Sequence, residues 1–146
     1  MNFNEHMNNI DFSSLKKLFL EKGKSIEFKK KDYFVRQNEP CKYVGFVQSG
    51  IFRYTRINND GNEPIVGYSF TDNFVCDYPS LIKNSGALTN IQAVTDCSVY
   101  ILSMKELNDF WETSMATQRF GRLVAEEIFV ETYGRLLGFY CDTPEQ

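Results

Sequence analysis

From Tyr43 to Tyr100 the chain changes direction every few residues, and that punctuation excludes most folds. Tyr43–Ser49 and Ile51–Asn58, separated by Gly50, read as a hairpin-like pair of strands. The turn Asn59-Asp60-Gly61-Asn62 follows, and then a strand over Glu63–Phe70. Asp-Gly between alternating apolar residues is a strong short-range hairpin signal, because both turn positions tolerate positive φ. After an irregular segment, Thr71–Gly86, come strands Leu88–Val94 and Cys97–Leu102. Many short strands with turn signals between them imply a sandwich, jelly roll or barrel. The irregular segment interrupts this all-β run, and loops held by a rigid scaffold are where ligands tend to be met.

Helices are expected on both flanks. Phe12–Lys22 carries Phe12, Leu15, Leu18 and Phe19 at helical spacing, with Asp11 or Ser13 as the cap and Gly23 as the stop. Short strands at Ser25–Lys29 and Tyr33–Arg36 surround Lys29-Lys30-Lys31, and Asn38-Glu39-Pro40-Cys41 reads as a loop. Ser103 and Glu106 form a capping-box pattern opening the helix Met104–Trp111, whose apolar face is Leu107, Phe110 and Trp111. Met115 to about Tyr140 then reads as one long helix. Phe120, Leu123, Val124, Ile128, Phe129, Val130, Tyr133, Leu136, Leu137 and Tyr140 cover more of it than one barrel-facing stripe requires. A second buried face implies a partner chain, and packing back on its own barrel is the alternative. A symmetric homodimer is expected, with Phe120, Leu123, Val124, Glu127, Val130 and Leu137 in the seam.

The run Tyr43-Val44-Gly45-Phe46-Val47-Gln48-Ser49-Gly50-Ile51-Phe52-Arg53 resembles the strand–glycine–strand hallmark of cyclic-nucleotide-binding domains. It is most similar to the sensor domains of Crp-Fnr transcription regulators, the cyclic-AMP receptor protein superfamily. Asn59-Asp60-Gly61 falls at that family's hairpin turn, and Asp72-Asn73-Phe74-Val75-Cys76-Asp77 falls where the family reads Gly-Asp-Phe-hydrophobic-Gly-Glu. The resemblance spans roughly Ser25 to Tyr140. It implies a mainly β fold with α, a double-stranded β-helix or jelly-roll-like β-roll, whose long helix pairs two subunits and roofs the pocket. It also implies a winged helix-turn-helix domain after that helix, and Thr143-Pro144-Glu145 looks like the start of a further helix. The expected organisation is a sensor domain with its N-terminal helix over 1–114, a dimerisation helix over 115–142, and the beginning of a DNA-binding domain at 143–146. The chain is thus expected to be a fragment of a longer regulator, meeting DNA only through a domain it does not contain.

In the resembled family a Gly-Glu pair holds the ribose hydroxyl, and a later Arg-Ser/Thr-Ala run holds the cyclic phosphate. The corresponding residues here are Cys76-Asp77 and Ala87-Leu88-Thr89. Asp77 keeps an acceptor, one methylene shorter, whereas Ala87 offers no guanidinium. No lysine or arginine lies between Lys83 and Lys105. A buried phosphate without such donors loses its main charge-assisted bonds, so cyclic AMP or GMP is not expected to bind in the usual way. Tyr68, Tyr78, Ser80, Thr89 and Asn90, with Val66, Phe74, Cys76, Asp77 and Leu88, form instead the candidate lining for a small neutral or weakly polar effector. The competing reading is that these side chains simply fill the barrel.

Composition removes several other functions. Cys41, Cys76, Cys97 and Cys141 show no close pair, and the single histidine, His6, lies in a polar lead-in. Neither pattern suits a zinc, iron–sulfur or haem centre, nor a Ser-His-Asp or Cys-His nucleophile system. No cofactor, metal or catalytic residue is expected, and the protein is not expected to be an enzyme. A net charge of −3, with its one lysine cluster in a turn, gives no general reason for nucleic-acid binding. No apolar run approaches the roughly 20 residues that cross a bilayer, and no secretory signal is visible, so a cytoplasmic protein without a membrane partner is expected. Three functional readings remain. One is a ligand-sensing, dimerising domain of a transcription regulator; the second is a stand-alone dimerisation or small-ligand-binding module with no DNA-binding role; the third is a small-ligand-binding domain that regulates an enzyme or channel.

Overall fold

The structure, a computed structural model, describes residues 12–142. His6, the Asp11 cap and the helix start expected at Thr143 lie outside the described residues. The chain divides into two units, one spanning Phe12–Leu107 and the other including Asn108 onward.

In the first unit the order is α1 (Ser13–Lys22), β1 (Lys24–Phe28), β2 (Tyr33–Val35), β3 (Tyr43–Ser49), β4 (Phe52–Thr55), β5 (Ile65–Ser69) and β6 (Phe74–Val75). A short helix α2 (Tyr78–Lys83) and the strands β7 (Asn90–Ala93) and β8 (Cys97–Ser103) complete it. Two four-stranded sheets result, ordered β1-β8-β3-β6 and β2-β7-β4-β5, with every pairing antiparallel. This is the expected jelly-roll arrangement, in which successive strands pass from one sheet to the other except at β4 and β5, which stay in one sheet.

That alternation corrects one expectation. β3 and β4 do not form a hairpin: β3 pairs with β8 and β6, while β4 pairs with β5 and β7. Gly50 is the crossing point between the sheets. It sits at φ +109°, and a Cβ there would press on Cys97 Sγ and the Asp96 carbonyl, so both conformation and space demand glycine. The Asp60-Gly61 hairpin does join β4 to β5, with the Asn58 side chain accepting from the Asp60 and Asn62 N–H groups at 3.0 and 3.1 Å.

Phe52, Val47, Ile91, Val99 and Val75 are fully buried, and Phe28 and Phe34 meet the Phe52 ring at 5.4 and 5.9 Å. Burying each such side chain contributes on the order of 1.5–3 kcal/mol. α1 adds Leu15 and Phe19 to this core, the Phe19 ring lying 5.5 Å from that of Phe74. Phe12, not Ser13, holds the α1 N-cap position and makes no capping bond with its own side chain; Ser13 is the first helical residue. Gly23 ends the helix, its N–H bonding the Phe19 carbonyl at 2.8 Å.

α3 (Met104–Trp111) follows β8 directly. Both capping-box bonds form, Glu106 N–H to Ser103 Oγ at 3.1 Å and Ser103 N–H to Glu106 Oε1 at 3.0 Å. In the second unit α4 runs over Met115–Tyr140, opened by a Ser114–Thr117 capping box. Trp111 there packs between Phe110 and Phe120, with ring centroids 5.4 and 5.9 Å away. Among the described residues no helix is long and apolar enough to cross a membrane.

Candidate ligand site around Asp77

The segment expected to be irregular, Thr71–Gly86, contains β6 and α2, and it carries Asp77 into the interior. Asp77 is only 5% exposed. It caps α2, with Oδ1 accepting from the Ser80 N–H at 3.3 Å. Its other oxygen, Oδ2, collects three donors from the loop before β7. They are the Leu88 N–H at 3.0 Å, the Thr89 N–H at 3.1 Å and the Thr89 hydroxyl at 2.8 Å. Burying a polar group is costly unless hydrogen bonds replace those lost to water, and four donors reach this carboxylate.

The loop that supplies those donors is itself fixed. Ala87 donates to the Glu39 carbonyl at 2.7 Å and accepts from Asn38 N–H at 2.8 Å. Gly86 lies so close that a Cβ would meet the Asn38 carbonyl oxygen at 2.6 Å. Ala87 is 1% exposed. Ser80, fully buried beside it, accepts from Cys41 N–H at 2.9 Å and donates to the Ser85 carbonyl.

A cation reaches this loop from another strand. Arg56, just past β4, donates from a guanidinium nitrogen to the Leu88 carbonyl at 2.6 Å. Local sequence around the loop gives no hint of it. The strand register does, since Thr55 lies opposite Asn90 and the next antiparallel step sets Arg56 beside Thr89. Tyr54 was likewise not anticipated. Its hydroxyl bonds Ser69 Oγ at 2.9 Å and accepts from Cys76 N–H at 3.3 Å, while Ser69 donates to the Phe74 carbonyl at 2.8 Å.

Protonation follows burial in this cluster. Desolvation is the main influence pushing the Tyr54 phenol and the Cys76 thiol far above their ordinary ranges, and both stay neutral. For Cys76, repulsion from Cys41 and Asp77 adds to the effect. Cys41 and Tyr78 are raised too, again chiefly by burial. Among the described residues, no three histidine, cysteine or carboxylate side chains gather so as to hold a metal ion.

The expected lining residues are thus distributed unevenly. Cys76, Asp77, Ser80, Leu88 and Thr89 come together around the cradle just described, Leu88 being half exposed at its outer side. Tyr78 begins α2 and is half-buried, as are Val66 and Cys76. Asn90 is buried and uses its side-chain oxygen to accept from Gln37 N–H at 2.8 Å. Phe74 lies in the core, where its ring meets Phe46 at 5.6 Å. Tyr68 sits on the outer strand of its sheet, 41% exposed and stacked on Phe70.

On α4, considered by itself, Leu123, Val130 and Leu137 recur every seven residues and remain exposed. Phe129, Tyr133, Leu136 and Tyr140 form an adjacent exposed stripe, with Phe129 and Tyr133 stacked at 5.8 Å. Phe120, Val124 and Glu127 are half-buried.

Comparison with known proteins agrees with this architecture. The family model described as the cyclic nucleotide-binding domain matches residues 25–114. No curated protein matches the chain. Among solved structures, a transcriptional regulator from Thermotoga maritima is similar over 88% of this chain and 98% of its own, with 18% identity and a TM-score of 0.69. The catabolite activator protein of Thermus thermophilus is similar over 89% of this chain and 57% of its own, at 18% identity and a TM-score of 0.65. The c-di-GMP-responsive global regulator CLP of Xanthomonas campestris is similar at 17% identity and a TM-score of 0.67, covering 89% of this chain and 66% of that one. The chain therefore spans only part of the length of the Thermus and Xanthomonas proteins.

Proposed function

This chain belongs to the cyclic nucleotide-binding domain family, and from that premise we propose that it is the ligand-sensing, dimerising part of a Crp-Fnr-type transcription regulator. The effector is a small molecule other than a cyclic nucleotide held in the usual way. Occupancy near Asp77 biases the geometry of two paired α4 helices, and a DNA-binding domain outside these 146 residues reads that geometry. It is a regulatory, non-enzymatic protein working in the cytoplasm.

The observation that carries the non-cyclic-nucleotide part is Ala87. It is 1% exposed and locked by backbone bonds where the resemblance calls for a phosphate-holding arginine. Dimerisation is supported by the exposed stripe Leu123, Val130 and Leu137, since a two-fold pair is the commonest way to bury such a surface. A second reading, a constitutive dimerisation module without effector, draws support from the buried apolar core and from an Asp77 whose two oxygens already accept four hydrogen bonds within the chain.

Native mass spectrometry of the protein as purified tests both. The sensor reading expects a dimer carrying an added small-molecule mass, or acquiring one from a metabolite extract. A dimer that acquires none favours the constitutive module, and a monomer removes the dimerisation element altogether.

A further inference from the structure

We propose that Asp77 is the resident occupant of an anion cradle, formed by the Leu88 and Thr89 N–H groups and the Thr89 hydroxyl, and that this internal carboxylate keeps external anions out of the domain. Three donors from two successive residues converge on the single oxygen Oδ2, at 2.8–3.1 Å. One acceptor with three donors, 5% exposed, is an arrangement complementary to a full negative charge, whatever molecule brings it. The cradle does not depend on Asp77 for its backbone course, because Ala87 is pinned on both sides by Asn38 and Glu39. Leu88 is 49% exposed, so the cradle lies close to solvent. Arg56, bonded to the Leu88 carbonyl, adds a positive charge to the same peptide.

Removal of the carboxylate would leave three aligned donors without an acceptor, beside a guanidinium that stays bonded to the Leu88 carbonyl. With the carboxylate in place, a second anion meets like charge, and the three cradle donors are already taken. The inference builds on the sensor reading by narrowing the effector class: a neutral or cationic molecule need not displace the carboxylate, whereas an anion binds at the cradle only by expelling Asp77. Expulsion would free the α2 N-cap, so an anion of that kind would also loosen α2.

The test is a titration of the isotope-labelled chain with inorganic phosphate against chloride at matched ionic strength, following the Leu88 and Thr89 amide resonances. In the unmutated chain these amides are protected from exchange and show no saturable phosphate shift. Asp77→Ala gains a saturable shift with affinity at least about tenfold above the unmutated chain, and adding Thr89→Val reverses much of that gain. Should Asp77→Ala not fold, Asp77→Asn keeps the shape and a cap acceptor while removing the charge, and it is expected to gain in the same direction. A folded charge-removing variant with no gain overturns the proposal. So does saturable phosphate binding at these amides in the unmutated chain, a result that needs no variant. A monomer without bound effector would defeat the sensor reading and leave this outcome unaffected.

Discussion

The Thr89 hydroxyl donates to Asp77 Oδ2 at 2.8 Å, a bond to a carboxylate that ties together two residues twelve positions apart on either side of α2. Thr89→Val keeps the shape and removes that donor. We expect a loss of roughly 1.5–3 kcal/mol, the range for hydrogen bonds to charged groups, with Thr89→Ser close to the unmutated chain. Urea unfolding with an unchanged m value reads it. Equal stability of the valine and threonine proteins would show that the bond carries no weight.

The α4 stripe predicts a second outcome. Replacing both Leu123 and Val130 with glutamate puts two charges per chain into the proposed apolar seam. The doubly substituted chain should sediment as a monomer at micromolar concentrations where the unmutated chain is a dimer. An unmutated chain that is monomeric at high micromolar concentration contradicts the seam.

Alkaline conditions provide a third. Tyr54 and Cys76 hold their protons in the folded chain well beyond their ordinary ranges, mainly through burial. Unfolded, a cysteine releases its proton near pH 8.5 and a tyrosine near pH 10. Above those values the unfolded state binds fewer protons than the folded one, so stability falls as pH rises. It is full below about pH 8.5 and declines beyond it. Urea midpoints measured from pH 7 to 10 check the direction. Thiol reagents at neutral pH should modify the exposed Cys141 first and the half-buried Cys76, whose thiol stays protonated, much more slowly.

The strand run, the Asp60-Gly61 hairpin, the Ser103–Glu106 capping box and the Met115–Tyr140 helix were legible because each rests on local chemistry. The β3–β4 pairing was misread because Gly50 resembles a hairpin turn locally, while the partner of each strand is set by β8 and β7, far along the chain. The same limit hid Arg56. Its role depends on Thr55 lying opposite Asn90, a register that no neighbouring residue announces. Asp77 could be singled out from its place in the Cys76-Asp77 pair. That its carboxylate bonds Leu88 and Thr89 of its own chain was visible only once α2 folded the two segments together. Tyr68 is a candidate lining residue for its hydroxyl, and its position on the outer strand depends on sheet order rather than local sequence.

Calorimetric titration of cyclic AMP into the unmutated chain tests the central claim most directly, because a cyclic phosphate would have to bind beside Ala87 and displace Asp77. The account predicts no site tighter than roughly millimolar, about −4 kcal/mol, for cyclic AMP and for cyclic GMP alike. A saturable micromolar site would contradict it, and would mean that Arg56 and the loop amides hold the phosphate in spite of the resident carboxylate.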